Sequence, residues 1–171
     1  MDKRRKRQSR FKTFMSAIYP DSMHKDALTV GEKYQNFIAD EVKKRFGYEI
    51  HFYTSKVEQF LLGESKEGFE IKLDARCTDT GRLSIEVGEK TKISIFGFTP
   101  SGIFRNDNTK FYVQGNRIIA WIFYKADLQR FYHSTKPKII DDKPPTIQKF
   151  YLSIKDANRI AKKVMRFKSG K

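Results

Sequence analysis

Between Gly68 and Lys90 the chain reads GFEIKLDARCTDTGRLSIEVGEK, with charged or polar side chains at every second position of two apolar runs. Successive side chains of a strand point to opposite faces, so Phe69, Ile71 and Leu73 share one side of the first run and Glu70, Lys72 and Asp74 the other. The second run sets Leu83, Ile85 and Val87 against Arg82, Ser84 and Glu86 in the same way. Between them stands Thr78-Asp79-Thr80-Gly81, whose Asp and Gly are turn formers. The pattern predicts a β-hairpin that gathers Asp74, Glu86 and Lys72 on one charged face. Two carboxylates and a lysine in one place suit a hard divalent cation, which takes one or two carboxylates and fills its octahedron with water and phosphate oxygens. Alternation is common, and a half-exposed sheet whose charged face meets only solvent remains the plain alternative.

Charge narrows the partners. The sequence carries 35 Lys and Arg against 20 Asp and Glu, a formal charge of +15, which points to polyanions. An acidic membrane would also attract it, but no apolar stretch reaches spanning length and no signal peptide is legible, so a soluble protein is expected. With 171 residues, 39% of them hydrophobic, the chain can bury one proper core. Cys77 is the single cysteine and the three histidines are scattered. An intrachain disulfide is therefore excluded and a thiolate zinc site disfavoured.

Residues 1–27 are expected to be a flexible basic arm, with Arg4, Arg5, Lys6, Arg7 and Arg10 as phosphate contacts, or else a solubilising tail or a localisation signal. Residues 28–171 are expected to form a single domain. Thr29 and Glu32 have the spacing of a capping box, and Tyr34, Phe37, Ile38, Val42 and Phe46 continue it as a helix that Gly47 ends. Glu32 is explained by that box, or by a second cation near the hairpin. Tyr48 to Thr54 reads as a strand, and Glu64 is a spare ligand.

A Gly-Glu helix start, a strand, then GFEIKLD and IEVGEK together resemble the PD-(D/E)XK superfamily of metal-dependent nucleases, in the small members typical of phages and mobile elements. The resemblance spans roughly residues 29 to 124. It implies an α/β fold with a central mixed β-sheet flanked by helices, restriction endonuclease-like, and magnesium- or manganese-dependent endonuclease activity on DNA, double-stranded by preference. Position by position, Asp74 would match the first metal-binding aspartate, Glu86 the acid of the second motif with the Val87 carbonyl beside it, and Glu32 the helix glutamate. The motif's lysine position is Gly88 here, so Lys72 or Lys90 would serve instead. A second alignment takes Glu70-Ile71-Lys72 as the E-x-K, with Glu64 as the preceding acid. The single cysteine is consistent with a cytoplasmic setting, in a bacterial or phage-infected cell if the resemblance holds, and a homodimer is expected if both strands are cut, because one centre handles one strand at a time.

Farther on, two strands over residues 110–114 and 117–124 are joined tightly at Gly115-Asn116, with Trp121 in the core. A short helix over 125–133, a strand over 150–154 and a last helix over 156–167 follow. That last helix would present Lys162, Lys163 and Arg166 to a nucleic-acid backbone. A non-catalytic nucleic-acid-binding protein, or a nuclease-like subunit of a larger DNA-processing complex, is the alternative function.

Overall fold

The computed structural model describes residues 23–168. Helix α1 (Met23–Phe46) buries Tyr34, Ile38 and Val42, one residue per turn along a single stripe. At its end Gly47 takes a φ of 73° and donates its amide to the Lys43 carbonyl, in a backbone region that a side chain disfavours. The helix begins at Met23, inside the stretch expected to be an arm. Thr29 therefore lies within the helix and does not begin it.

In chain order there follow α2 (Lys56–Leu62), β1 (Phe69–Leu73), β2 (Arg82–Glu89), β3 (Thr99–Pro100), β4 (Phe111–Gly115), β5 (Ile119–Tyr124), α3 (Lys125–Thr135), β6 (Ile140–Asp141), β7 (Ile147–Ser153), α4 (Ile154–Ile160) and β8 (Lys163–Arg166). The strands form two sheets. One is mixed, in the order β1-β4-β5-β8, with β1 parallel to β4 and the other pairs antiparallel. The second is antiparallel, in the order β3-β2-β7-β6.

The expected hairpin is thus taken apart. Both runs are strands, but they lie in different sheets: β1 pairs with β4, from Phe69 opposite Phe111 to Leu73 opposite Gly115, while β2 pairs with β7 and β3. The turn formers between them make a helical turn, Cys77–Thr80, closed by Gly81 at φ 67°, with the Cys77 side chain buried. Alternation specifies a strand with two unlike faces; it does not choose the neighbour that satisfies the backbone.

Two apolar layers result. Phe69, Ile71, Val113, Ala120, Ile122 and Met165 face α1. Tyr112, Ile119, Trp121 and Phe123 face the second sheet, where Leu83, Ile85, Phe150 and Leu152 meet them. The fold is α/β, with a mixed four-stranded sheet flanked by helices as expected: α1 covers one face, and α3 and α4 contribute Leu128 and Ala157 to the layer shared with the second sheet on the other. Trp121 is fully buried, and its indole donates to Asn158 Oδ1 at 2.8 Å, a core role as expected. The β4–β5 connection is also as expected, because a Cβ on Gly115 would lie 2.2 Å from the Ile119 carbonyl oxygen.

Two other expectations change. Residues 48–54 contribute only an isolated bridge, Phe52 to Ser65. The last helix stops at Ile160, and Lys163–Arg166 runs along β5 as a strand. There the free edge of β5 offers backbone partners, beginning with the Ile122 carbonyl, which accepts from the Lys162 amide. Among the described residues, no helix is long and apolar enough to cross a membrane.

Candidate active site between the two sheets

The alternation of β1 sends Phe69 and Ile71 toward α1, so Glu70 and Lys72 turn toward the second sheet. Glu70 is only 1% exposed. Lys72 Nζ lies 2.8 Å from Glu64 Oε1 and 3.1 Å from Glu70 Oε1. Glu64 is fixed from two more directions, since its Oε2 accepts from Gln35 Nε2 of α1 and from the Ile71 amide, each at 3.1 Å. One residue on, Ser65 Oγ accepts from the Phe69 amide at 2.7 Å. The amides of Phe69 and Ile71 point away from β4, and side chains take both.

Glu70 is held differently. Neither carboxylate oxygen makes a directed hydrogen bond; its contact with Lys72 is an ion pair that lies off the hydrogen-bonding directions. Burial raises the Glu70 pKa, and the Lys72 ammonium offsets this only in part while Glu64 adds to it. Burial alone would depress Lys72, but Glu64, Glu70 and Glu86 outweigh it and hold the ammonium well above its ordinary range. The lysine is therefore a fixed cation at neutral pH. Tyr112, opposite Glu70 on β4, is raised by burial and then by Glu70. Arg105 is raised too, because Glu70, Glu89 and Glu86 overcome its desolvation. Glu70 and Glu86 thus act on both cations, with Glu64 beside Lys72 and Glu89 beside Arg105.

The residues singled out in the sequence are distributed more widely. Asp74 lies just past β1, where its Oδ2 accepts from the Ser84 amide at 2.9 Å and from Gln114 Nε2 at 3.3 Å, linking the two sheets. Glu86 accepts from Ser101 Oγ at 2.5 Å, and the Val87 carbonyl accepts from the Ser101 amide. Asp74 and Glu86 therefore do not meet across a hairpin. Lys90 lies over the Phe98 ring, 4.8 Å from its centroid, and Glu32 is exposed on α1. Lys162, Lys163 and Arg166 are exposed, at and just before β8 rather than on a helix face. Arg4, Arg5, Lys6, Arg7 and Arg10 lie outside the described residues.

Of the residues singled out in the sequence, the structure brings Lys72 together with Glu64 and Glu70, the three residues of the second alignment. Gln35, Arg105 and Tyr112 were missed. Period-2 alternation in FYVQG does place Tyr112 and Gln114 on one face, but nothing local marks Gln35 or Arg105. Among the described residues no group of three or more His, Cys, Asp and Glu could hold a metal ion. What is present is narrower: two carboxylates with an ammonium between them. Two hard oxygen donors are as many as magnesium commonly takes from a protein, and the unpartnered oxygens of Glu70 fit that use.

No family model, no curated protein and no solved structure matches this chain.

Proposed function

We propose that the chain is a metal-dependent DNA endonuclease of restriction endonuclease-like type, with Glu70-Ile71-Lys72 as its E-x-K and Glu64 as the preceding acid. The observation that carries this reading is the Glu70 carboxylate, buried to 1% exposure with no directed hydrogen bond to either oxygen. Burying a charge without such bonds is costly, and a purely structural site would have satisfied it. Glu64 and Glu70 would hold magnesium or manganese, which when bound supplies Lewis acidity toward a phosphate oxygen and a more acidic water.

The chain's own residues supply the rest. Lys72 is held protonated, so it serves as a positioning and charge-stabilising group and not as the base. Arg105 adds a second cation facing the same carboxylates. Asp74 braces β1 against β2 through Ser84 and Gln114, a supporting role in place of the ligand role that the first alignment gave it. The excess of basic residues supplies phosphate affinity independent of sequence. A cytoplasmic setting in a bacterial or phage-infected cell belongs to the same reading.

A second reading, a non-catalytic nucleic-acid-binding protein, draws on the position of the Lys72 ammonium between the two carboxylates, where a metal would otherwise be held. One assay separates them: supercoiled plasmid incubated with magnesium, with manganese or with chelator. Metal-dependent cutting that falls by about a hundredfold or more in Glu70→Gln and persists in Asp74→Ala supports the nuclease. Cutting unchanged in Glu70→Gln sinks it, and salt-sensitive binding without cutting favours the second reading.

A further inference from the structure

The link between β2 and β3, residues 90–98, reads KTKISIFGF and contains no acidic residue. At its tip Ile93 is 56% exposed, Ile95 42% and Phe96 105%. The tip is shaped: the Ile95 amide donates to the Lys92 carbonyl at 3.1 Å, and Gly97 takes a φ of 88°, so the chain reverses with its apolar side chains outward. A single exposed apolar residue needs no explanation, but a compact group of three on a structured turn does. Lys92 is exposed beside it, and Lys90 lies over the Phe98 ring at the base of the loop.

Position argues for the occupant. The loop leaves β2 after Glu89 and rejoins the sheet at Thr99, opposite Glu89 and two residues before Ser101, whose hydroxyl donates to Glu86. Glu89, the last residue of β2, pairs with Arg105 at 3.5 Å, so the loop springs from the border of the proposed centre, and its Lys90 and Lys92 offer cations to the phosphates of a polyanion held there. We propose that the Ile93–Phe96 tip is a wedge that inserts between the bases of the bound nucleic acid, with Phe96 as the stacking ring. Apolar side chains between base steps and aromatic rings on exposed bases are established means of unstacking or gripping nucleic acid. The inference rests on nucleic acid being the partner, not on cleavage.

The test measures binding in chelator, so that cutting plays no part. Oligonucleotides carrying 2-aminopurine are titrated with the wild-type chain, with Phe96→Ala and with Lys92→Ala, and affinity is read by anisotropy at several salt concentrations. The wedge predicts a rise in 2-aminopurine fluorescence on binding that is absent in Phe96→Ala. It also predicts about a tenfold loss of affinity in Phe96→Ala with an unchanged salt slope, because no phosphate contact is removed, whereas Lys92→Ala lowers the slope. Glu70→Gln keeps the fluorescence change, so losing cleavage there leaves the wedge standing. Equal affinity and equal fluorescence in Phe96→Ala overturn the wedge without touching the nuclease reading. Binding of the wild type to phosphatidylserine vesicles but not to the oligonucleotides, with Phe96→Ala abolishing it, overturns it in favour of a membrane surface.

Discussion

Two lysines of this fold, Lys125 buried and Lys72 half-buried, are paired with buried carboxylates, and they are held in contrasting ways. Lys125 and Asp107 have side chains 8% and 1% exposed, and their groups are bonded from several sides. The ammonium donates to the Arg105 carbonyl at 2.6 Å and to Asp107 Oδ1 at 2.9 Å, and that oxygen also accepts from the Thr109 amide. Lys72 and Glu70 share charge at a similar distance, yet Glu70 is left without a directed hydrogen bond. The first arrangement locks the 105–109 segment to α3. The second leaves both oxygens of a buried carboxylate without a directed partner, which is costly for a charged group.

If that contrast is right, the largest effect falls on the satisfied pair. Asp107→Ala strands a buried ammonium and is expected to destabilise the fold by about 3–5 kcal/mol, read from urea unfolding. Next comes Lys72→Ala, which leaves Glu64 and Glu70 facing each other and should cost about 2–3 kcal/mol. Adding Glu70→Gln to it should recover part of that loss, and a double-mutant cycle with no coupling would dissolve the proposed pair. Glu70→Gln alone is expected to stay within about 1 kcal/mol of wild type, because it removes a charge whose burial was never fully compensated. A loss as large as that of Asp107→Ala would make Glu70 a structural residue and erase the distinction.

The smallest effect is a pair of opposed slopes. Burial works against the Asp107 carboxylate, but the Lys125 hydrogen bond and the Thr109 contacts overcome it and lower its pKa. Its contribution is therefore present above the ordinary aspartate value of about 3.9 and lost as the pH falls through the lowered one. Glu70 has the opposite sign: its pKa is raised, so its contribution declines as the pH rises above about 4.3 toward the raised value. Stability measured from acid to neutral pH should accordingly fall, relative to Glu70→Gln, as the pH increases. A difference that stays flat would mean that Glu70 titrates as if exposed.

The parts of the fold that were legible are those fixed by near neighbours. The β4–β5 turn follows from Gly115-Asn116, the end of α1 from Gly47, and the burial of Trp121 from the apolar run around it. The pairing of β1 was not legible, because its partner β4 arrives only after β2, β3 and their loops have been placed. The same distance hid the site. Alternation put Glu70 and Lys72 on a charged face, but a charged face reads as solvated unless a second sheet is known to cover it. That cover comes from Tyr112, Arg105 and the strand bearing Glu86, each remote from Glu70 in sequence. A hairpin puts Asp74 ahead of Glu70 for the same reason, and the C-terminal basic stretch has the periodicity of a helix because the open edge of β5 is not encoded within residues 156–167.

The short segment ahead of β1 has a consequence of its own. Glu64 and Ser65 occupy the Ile71 and Phe69 amides on the side of β1 where its sheet ends. An uncovered row of amides at such a border is a template for another chain. Replacing both residues by alanine would unmask it, and the expected outcome is concentration-dependent self-association, visible by light scattering. The acid proposed to help hold a cation would then also be what keeps neighbouring molecules from zipping together.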